Sequence, residues 1–405
     1  MEKKTIVFII MDGLGDRISD KLKDRTPMEA AYTPNMDYMA RNGIAGMMYP
    51  VKQGLVCGSD TSHLSLLGYD PLKVYTGRGP FEAMGLGMDV RAGDIAFRAN
   101  YATRNGRTVL DRRAGRIEES TEPLSRSISI EIDGMKIDVS SGVEHRAALV
   151  MHGPGLSPEV SDTDPHENGK EIHKSLPKNE NAINTTRILE KYLEKSRTIL
   201  DEHPINRKRI EEGKMPANEL LLRGAGKAPD LEPFHEKYSM NGSYIIGIPM
   251  IKGLAKMIGM KEIPVKGMTG GHNTNYNGKL IAASENIGRS DFILMNIKAP
   301  DAAAHDRNPE RKLEAMERID AAMKNILGRE DESLIVLTGD HSTSSMSGEH
   351  TGDPVPVVFY TAGIRKQGAT GFNEKHCSRT GFAMESGNAM NYSLQLVDRL
   401  EKYGA

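Results

Sequence analysis

Residues 6–13 read IVFIIMDG, an apolar run that leads directly into an aspartate and a glycine. A short, continuous apolar run is typical of a strand that is buried on both faces of a parallel sheet. In open α/β sheets, ligands bind beyond the carboxyl ends of the strands. Asp12 is therefore predicted at the sheet edge where an α/β protein carries out its chemistry.

Two later apolar runs also lead to acidic residues. Residues 292–297 read FILMNI and are followed by Asp301 and His305. Residues 334–341 read LIVLTGDH, and His350 lies nine residues beyond them. The same strand-end argument applies to both runs, so the sequence predicts three acidic strand ends that are far apart along the chain.

The segment between the two later runs has the pattern of a helix. Asn308 suits the N-cap of a helix over residues 308–327, and Pro309 suits its first turn. A strand, a helix and a second strand in this order form a βαβ unit. This unit would bring Asp301 and Asp340 to the same edge of one parallel sheet.

The middle of the chain has a different pattern of apolar and polar residues. Residues 95–101 alternate as in a half-exposed strand, and Asp133-Gly134 between two short apolar stretches indicates a hairpin. We therefore predict an α/β fold with a mainly parallel sheet between helices, interrupted by a smaller inserted α+β domain. The predicted core comprises residues 1–93 and 226–405, and the predicted insert comprises residues 94–225.

Composition excludes several classes of protein. The chain has 53 basic and 55 acidic residues, so no basic field argues for a nucleic-acid partner. No apolar run is long enough to span a bilayer, and the first strand begins too early to leave room for a signal peptide. The two cysteines fit a reducing compartment. We expect a cytoplasmic protein with no nucleic-acid or membrane partner, and association into a homo-oligomer stays open.

The residues at and after the strand ends form a set of metal ligands. Carboxylates together with imidazoles are typical of transition-metal sites rather than calcium sites. Six such ligands exceed one tetrahedral ion and suit two ions about 3.5–4 Å apart, as in phosphoryl transfer. Taken singly, each residue is better explained as a turn or helix start; the whole set favours metal. The set is Asp12, Asp301, His305, Asp340, His341 and His350.

A predicted loop over residues 53–65 is rich in small hydroxyl residues. A serine hydroxyl is a weak nucleophile, but a neighbouring metal ion lowers its pKa. On its own, the loop is more simply explained as a Ser/Thr-rich turn. The residues alone leave open whether Ser59, Thr61 or Ser62 would act.

Together these motifs resemble the alkaline phosphatase superfamily and, within it, the archaeal-type cofactor-independent (2,3-bisphosphoglycerate-independent) phosphoglycerate mutases. The likeness covers nearly the whole chain. In the core it rests on MDGLGD (11–16), GSDTSH (58–63), KAPDAAAH (298–305), TGDHS (338–342) and HTGDPVP (350–356). In the insert it rests on DRRAGR (111–116), DPHE (164–167) and RGAG (223–226).

The resemblance implies an alkaline-phosphatase-like core and an isomerase that interconverts 3- and 2-phosphoglycerate through a phosphoserine, in glycolysis and gluconeogenesis. Ser59 matches the serine that is phosphorylated. The ligands of one divalent ion match Asp12, Ser59, Asp340 and His341, and those of a second ion match Asp301, His305 and His350. Mn²⁺ is the expected ion, with Co²⁺, Zn²⁺ or Mg²⁺ as alternatives, and no organic cofactor is expected.

The substrate side is predicted in the insert. A phosphoglycerate carries a phosphate and a carboxylate, which arginines bind through paired, charge-assisted hydrogen bonds. Each candidate alone is equally well explained as a solvated charge, and the group around residues 112–116 is the strongest. The candidates are Arg98, Arg112, Arg113, Arg116, His145, Arg146, Asp164 and Arg223.

Three other functions fit parts of the pattern. A phosphatase or phosphodiesterase of the same superfamily would share the core motifs, and so would another sugar-phosphate mutase. A metal-stabilised binding protein is disfavoured, because a structural metal site is closed and needs no hydroxyl loop beside it. The insert is expected to act as a lid that excludes water, since water would otherwise hydrolyse the phosphorylated serine.

Overall fold

The computed structural model of the protein describes residues 3–400 and 404. Met1 and Glu2, on which the expectation of no signal peptide partly depends, lie outside the described residues. No helix in the described part of the chain has both the length and the apolar character needed to cross a membrane.

The strands are β1 (Thr5–Met11), β2 (Ile44–Tyr49), β3 (Ile95–Asn105), β4 (Thr108–Asp111), β5 (Ile130–Ile132), β6 (Met135–Ser141), β7 (Arg146–His152), β8 (Glu219–Lys227), β9 (Gly242–Ile245), β10 (Lys261–Glu262), β11 (Phe292–Ile297), β12 (Ser333–Thr338), β13 (Ser342–Thr343), β14 (His350–Thr351), β15 (Val355–Tyr360) and β16 (Ala383–Glu385). The helices are α1 (Pro27–Ala30), α2 (Pro34–Asn42), α3 (Ser59–Leu66), α4 (Pro71–Val74), α5 (Gly79–Gly85), α6 (Glu122–Ser127), α7 (Ile183–Glu202), α8 (Pro204–Glu211), α9 (Phe234–Tyr238), α10 (Pro249–Met257), α11 (Tyr276–Glu285), α12 (Ala299–His305), α13 (Pro309–Met323), α14 (Glu374–Ser378) and α15 (Ala389–Leu396).

The chain forms two compact units. Unit 1 comprises the described residues up to Lys73, Glu232–Ile251 and those from Ile258 onward; unit 2 comprises Val74–Leu231 and Lys252–Met257. These limits differ from the predicted ones, because residues 74–93 belong to unit 2, where α5 packs on β3 and β7. The predicted boundary at residue 225 also falls inside β8, which pairs with β3.

Unit 1 is built on an eight-stranded sheet in the order β10-β9-β11-β1-β12-β15-β2-β16. The central strand β1 runs parallel to both β11 and β12, whereas β15 is antiparallel to its two neighbours. Every residue of β1 is buried, because both faces of the sheet are covered. The predicted α/β fold with a mainly parallel sheet is therefore confirmed.

Helix α13 connects β11 to β12 and packs against the central sheet. Its N-cap is Asn308 as predicted, with the side-chain oxygen accepting a hydrogen bond from the backbone N–H of Arg311. Met316, Ile319 and Met323 lie in the same apolar core as β1. The helix ends at Met323 rather than at residue 327, because the N–H groups of Asn325 and Ile326 bond to carbonyls three residues back rather than four.

Unit 2 has its own antiparallel sheet in the order β4-β3-β7-β6-β5, with β8 also paired to β3. The predicted hairpin joins β5 to β6, and Asp133 in its turn has a left-handed backbone conformation (φ 50°). The strand predicted over residues 95–101 forms as part of β3, but its predicted half-exposure is wrong, because both of its faces are covered. One face packs in the core that includes α7, and the other packs beside α5.

Candidate active site

Three aspartates meet at one edge of the unit 1 sheet. Asp12 follows β1 directly, and β1 is in register with β11 on one side and β12 on the other. Asp301 lies in α12, just after β11, and Asp340 lies two residues after β12. All three side chains are fully buried. The carboxyl ends of three parallel strands therefore bring together acids from the two ends of the chain, since Asp12 and Asp340 are more than 300 residues apart in sequence.

Asp301, His305 and His350 form one candidate group of metal ligands. The Nδ1–H of His305 donates to the Gly348 carbonyl at 2.7 Å, and the Nδ1–H of His350 donates to the Cys57 carbonyl at 2.7 Å. When both rings are neutral, as metal ligation requires, both Nε2 atoms carry lone pairs, and they face each other at 3.3 Å. Asp301 Oδ2 lies 3.2 Å from His305 Nε2. Converging lone pairs beside a carboxylate, with the opposite ring nitrogens anchored, fit a divalent cation.

Asp12, Asp301 and His341 form a second candidate group that shares Asp301 with the first. His341 Nε2 lies 3.6 Å from Asp12 and 3.4 Å from Asp340. Asp340 Oδ2 is buried and accepts no hydrogen bond from any described residue, whereas its Oδ1 accepts two from backbone N–H groups. A buried carboxylate oxygen without a donor is the kind of atom that a metal ion would satisfy.

The charge balance of the site also fits added cations. Burial and the charge of Asp340 together raise the pKa of Asp12 to about 6, against the opposing charge of Lys298. Burial also acts to raise the pKa of Asp301, but the His305 hydrogen bond and Lys298 outweigh it, so that pKa falls well below its usual range. The raised pKa of Asp12 indicates that the positive charges of the chain do not fully compensate three buried carboxylates.

Gly13 allows the first aspartate to approach the second. Its backbone is left-handed (φ +63°), and a Cβ atom there would lie 2.7 Å from Asp301 Cβ. Only glycine adopts this conformation without strain and leaves this space open. Its N–H also donates to Asp340 Oδ1 at 3.0 Å. Gly13, which follows Asp12, thus lies against Asp301 and is hydrogen-bonded to Asp340.

The serine lies at the start of a helix rather than in the middle of a loop. The predicted loop over residues 53–65 is wrong from residue 59 onward, because Ser59–Leu66 is helix α3 with Gly58 as its N-cap. Ser59 Oγ lies 3.1 Å from His341 Nε2 and 3.4 Å from Asp12 Oδ1. Thr61 instead donates its hydroxyl to the Gly58 carbonyl. Of the three candidate hydroxyls, Ser59 is thus the one that lies among the acids and histidines.

The structure adds four residues that were not among the predicted site residues. Lys298 Nζ contacts Asp12, Asp301 and Ser59. The Asn296 amide donates a hydrogen bond to Asp12, and the Thr343 hydroxyl donates one to Asp301. The His63 ring donates a hydrogen bond to the Ser59 carbonyl. Asn296 is a polar residue in an otherwise apolar strand, and this pattern could have marked it as a site residue. Lys298 and His63 lie within the recognised motifs. Nothing in the sequence marks Thr343.

Several of the predicted substrate residues lie close to one another within unit 2. Arg98 and Arg223 face each other across β3 and β8. Burial, together with the charges of Arg223, Arg78 and Arg146, lowers the pKa of Arg98 to about 10, against the opposing charge of Glu82. A group of guanidinium ions that depress one another's pKa has a surplus of positive charge and favours a bound anion.

Arg112 and Asp164 are paired with each other. The Arg112 guanidinium makes two hydrogen bonds to the Asp164 carboxylate, at 2.8 and 2.6 Å. Burial acts to raise the pKa of Asp164, but its Arg112 hydrogen bond outweighs this and keeps it below the usual range. Asp164 is therefore suited to orient Arg112 rather than to transfer a proton.

The remaining candidates differ in their surroundings. His145 is buried, and burial together with the charge of Arg146 lowers its pKa to about 4, against the opposing charge of Glu144. Arg113 is exposed, but it is close enough to contribute to that shift. Arg116 is exposed in a left-handed turn and makes no ion pair with the described residues. The structure thus brings Arg98, Arg146, Arg223 and His145 together and leaves Arg116 apart.

Comparison with known proteins identifies relatives along the whole chain. The family model described as "2,3-bisphosphoglycerate-independent phosphoglycerate mutase" matches residues 40–206. A protein of that name from Thermoplasma volcanium is 46% identical over 405 residues, with all of both chains covered. Another from Picrophilus torridus is 48% identical over 402 residues, covering 99% of this chain and 100% of the relative.

Solved structures agree with these sequence matches. A Pyrococcus horikoshii protein superposes with a TM-score of 0.88 at 34% identity, with 100% of both chains covered. A cofactor-independent phosphoglycerate mutase from Thermoplasma acidophilum superposes with a TM-score of 0.76 at 42% identity, covering 97% of this chain and 100% of the other.

Proposed function

We propose that this chain works through a phosphoserine at Ser59 beside two divalent metal ions. The chain belongs to the 2,3-bisphosphoglycerate-independent phosphoglycerate mutases and is an isomerase that interconverts 3- and 2-phosphoglycerate. The observation that carries the proposal is the position of the Ser59 hydroxyl. It lies at the first residue of α3, within 3.4 Å of Asp12, His341 and Lys298.

Divalent metal binding is consistent with the two ligand groups and with the family. Asp301, His305 and His350 would hold one ion, and Asp12, Ser59, Asp340 and His341 would hold the other. When bound, the ions would neutralise the phosphate and favour loss of the Ser59 proton. Mixed oxygen and nitrogen ligands suit Mn²⁺, which we propose as the ion, with Co²⁺, Zn²⁺ and Mg²⁺ as alternatives.

The residues of the chain carry out a two-step transfer. Ser59 Oγ attacks phosphorus, a new Oγ–P bond forms, and the bond between phosphorus and the glycerate oxygen breaks. That oxygen gains the proton that the serine loses. The other glycerate hydroxyl then attacks the phosphoserine and reverses the sequence. Ser59 is the first residue of α3, so a phosphate on its Oγ would lie at the helix N-terminus, where the helix dipole favours negative charge.

Unit 2 is proposed to bind the anionic groups of the substrate. The surplus positive charge around Arg98, Arg146 and Arg223 supports this role, and Asp164 would hold Arg112 in place. His145 stays uncharged near neutral pH because its pKa is about 4, so it can accept a proton from a glycerate hydroxyl. The role of residues 94–225 as a water-excluding lid remains a prediction.

The choice of hydroxyl is tested by replacing each candidate. Ser59→Ala should lower the conversion of 3- to 2-phosphoglycerate by about 10⁴-fold or more, as expected when a covalent nucleophile is removed. It should also abolish the phosphorylated form detected by intact-protein mass spectrometry after acid quenching. Thr61→Ala is the matched control, since its hydroxyl caps the backbone of the same helix turn. An active Ser59→Ala with an inactive Thr61→Ala would contradict the proposal.

A further inference from the structure

Lys298 lies between the two groups of metal ligands and contacts a member of each. Its Nζ is 2.8 Å from Asp12 Oδ1 and 2.6 Å from Asp301 Oδ2. The Ser59 hydroxyl oxygen lies 3.4 Å from the same nitrogen. An ammonium group has three N–H donors and no acceptor, and these three oxygens are the partners that it faces.

We propose that Lys298 is a further catalytic residue, whose ammonium group contacts the phosphoryl group while it is transferred to and from Ser59. This inference rests on the proposed function, because it requires the phosphoserine at that position. Phosphorus bonded to Ser59 Oγ would bring its other oxygens within reach of a nitrogen that is already 3.4 Å from Oγ.

A comparison with two other buried lysines of unit 1 separates this role from a structural one. Lys279 donates to the Asn296 carbonyl, and Lys312 donates to two backbone carbonyls and to Asp16. Both therefore hold the backbone in place. Lys298 contacts carboxylates and a hydroxyl, and it makes no hydrogen bond to a backbone carbonyl of the described residues.

The exposure of the three lysine side chains also supports a catalytic role for Lys298. The side chains of Lys279 and Lys312 are almost completely buried, and those of Asp12 and Asp301 are fully buried. The Lys298 side chain is 22% exposed, so the lysine lies on the open side of the acids. An incoming phosphate therefore meets the ammonium group before it meets the carboxylates, which by themselves would repel it.

The chemistry balances without proton transfer by the lysine. The Oγ–P bond forms, the phosphorus–glycerate bond breaks, and the proton of the serine ends on the glycerate oxygen. Lys298 keeps its proton throughout and acts as a fixed positive charge beside the phosphoryl oxygens. Charge placed before the reaction stabilises a phosphoryl transition state without reorganisation, and one such contact contributes about 10²–10³-fold to kcat.

Lys298→Met tests the proposal through three separate measurements. We expect kcat for 3-phosphoglycerate to fall by about 10²–10³-fold, and the single-turnover rate of Ser59 phosphorylation to fall with it. The Mn²⁺ dissociation constant from calorimetry should be no weaker than in the wild type, because a competing cation has been removed from the carboxylates. Weaker Mn²⁺ binding in proportion to the lost activity would overturn the proposal and make Lys298 a structural residue.

Lys298→Gln protects the test against misfolding, since it keeps a hydrogen-bond donor without the charge. It should show the same loss of kcat, and wild-type kcat in this variant would refute the role of the charge. Methylammonium added to Lys298→Ala should restore part of the phosphorylation rate. No rescue, with normal Mn²⁺ binding, would count against direct contact with the phosphoryl group.

Lys279→Met is the matched control for loss of a buried lysine. It should lower the melting temperature and leave the phosphorylation rate within a few fold of the wild type. The proposed function and this inference fail in different ways. A wild type that forms no phosphoserine would overturn both, whereas a Lys298→Met that is phosphorylated at the wild-type rate would overturn only the role of Lys298.

Discussion

The acidic edge of unit 1 and the arginine group of unit 2 are both charged, but the chain fixes them in different ways. Asp12, Asp301 and Asp340 are short side chains at the ends of paired strands, and all are fully buried. Arg98 and Arg223 are half-buried on neighbouring strands, and Arg146 is exposed. Strand register fixes a short aspartate within narrow limits, whereas a long arginine side chain adopts many rotamers. The first region is a preformed site, and the second is a surplus of charge that a ligand would organise.

Among the variants that test this comparison, the largest effect is expected at Asp301, the residue that both ligand groups share. Asp301→Ala should reduce mutase activity by about 10³-fold or more and lower the content of bound metal, because Asp301 belongs to both groups. Exhaustive chelation of the wild type should abolish activity, and Mn²⁺ should restore it.

Elemental analysis of the same samples is the decisive measurement. Asp306→Ala is the matched control, since Asp306 lies directly after the same helix with its side chain 61% exposed and pairs with Arg311 instead. Full activity after chelation in a sample free of metal would show that the acids serve some other purpose.

The difference between the regions also explains which parts could be predicted from the sequence. The three aspartates follow apolar runs that are typical of buried strands, and the pairing of these strands in one parallel sheet brings the aspartates together. His305 lies one helical turn beyond Asp301, and spacing alone therefore predicts it. His350 was also predicted from its spacing after Asp340 and His341, but its position depends on the turn that pairs β14 with β13, which the spacing does not specify.

Other features depend on tertiary packing that the sequence does not encode locally. The strand over residues 95–101 alternates like a half-exposed strand, yet α5 covers its outer face. The loop around Ser59 is polar in composition, yet it begins a helix whose residues are nearly all buried in unit 1. Lys298 was within a recognised motif, but only the register of β1 with β11 brings its ammonium group to Asp12.

A second prediction concerns two arginines of unit 2. Arg146→Ala and Arg113→Ala should each lower kcat/KM for 3-phosphoglycerate by about 10–100-fold, the loss expected for one charge-assisted hydrogen bond. Metal content and the rate of Ser59 phosphorylation should fall less. If these arginines hold the glycerate, free phosphate should rise relative to 2-phosphoglycerate, because water then competes better for the phosphoserine.

Product analysis measures that ratio directly. Arg126→Ala is the control, because Arg126 is an exposed arginine of the same unit that pairs with Glu122 on its own helix. Unchanged mutase rates in both test variants would make Arg113 and Arg146 ordinary surface charges. A wild type that releases phosphate without making 2-phosphoglycerate would point to hydrolysis instead.

The smallest expected effect concerns a buried carboxylate of unit 1 that has no metal-ligand role. Glu374 accepts hydrogen bonds from the Thr26 hydroxyl at 2.8 Å and from the Asp16 N–H at 3.2 Å. Burial nevertheless raises the pKa of Glu374 to about 7, because these bonds and the charge of Lys312 offset only part of the desolvation. Asp301 is buried in the same unit and has a lowered pKa. The two carboxylates thus differ mainly in their neighbouring cations.

The raised pKa sets the sign of a pH effect on stability. The folded state holds the Glu374 proton more tightly than the unfolded state, whose pKa is near the usual 4.5. Its contribution to stability is therefore fully present below about pH 4.5 and is lost as the pH rises through about 7. Relative to Glu374→Gln, the wild type should lose about 2 kcal/mol of unfolding free energy between pH 5 and pH 8. Urea unfolding of both proteins without metal at these two pH values measures the difference. Glu310→Gln, an exposed glutamate that is also in the first turn of its helix, should follow the wild type at both values. If wild type and Glu374→Gln change in parallel, the Glu374 carboxylate is ionised without penalty, and its surroundings resemble those of Asp301 more than the structure indicates.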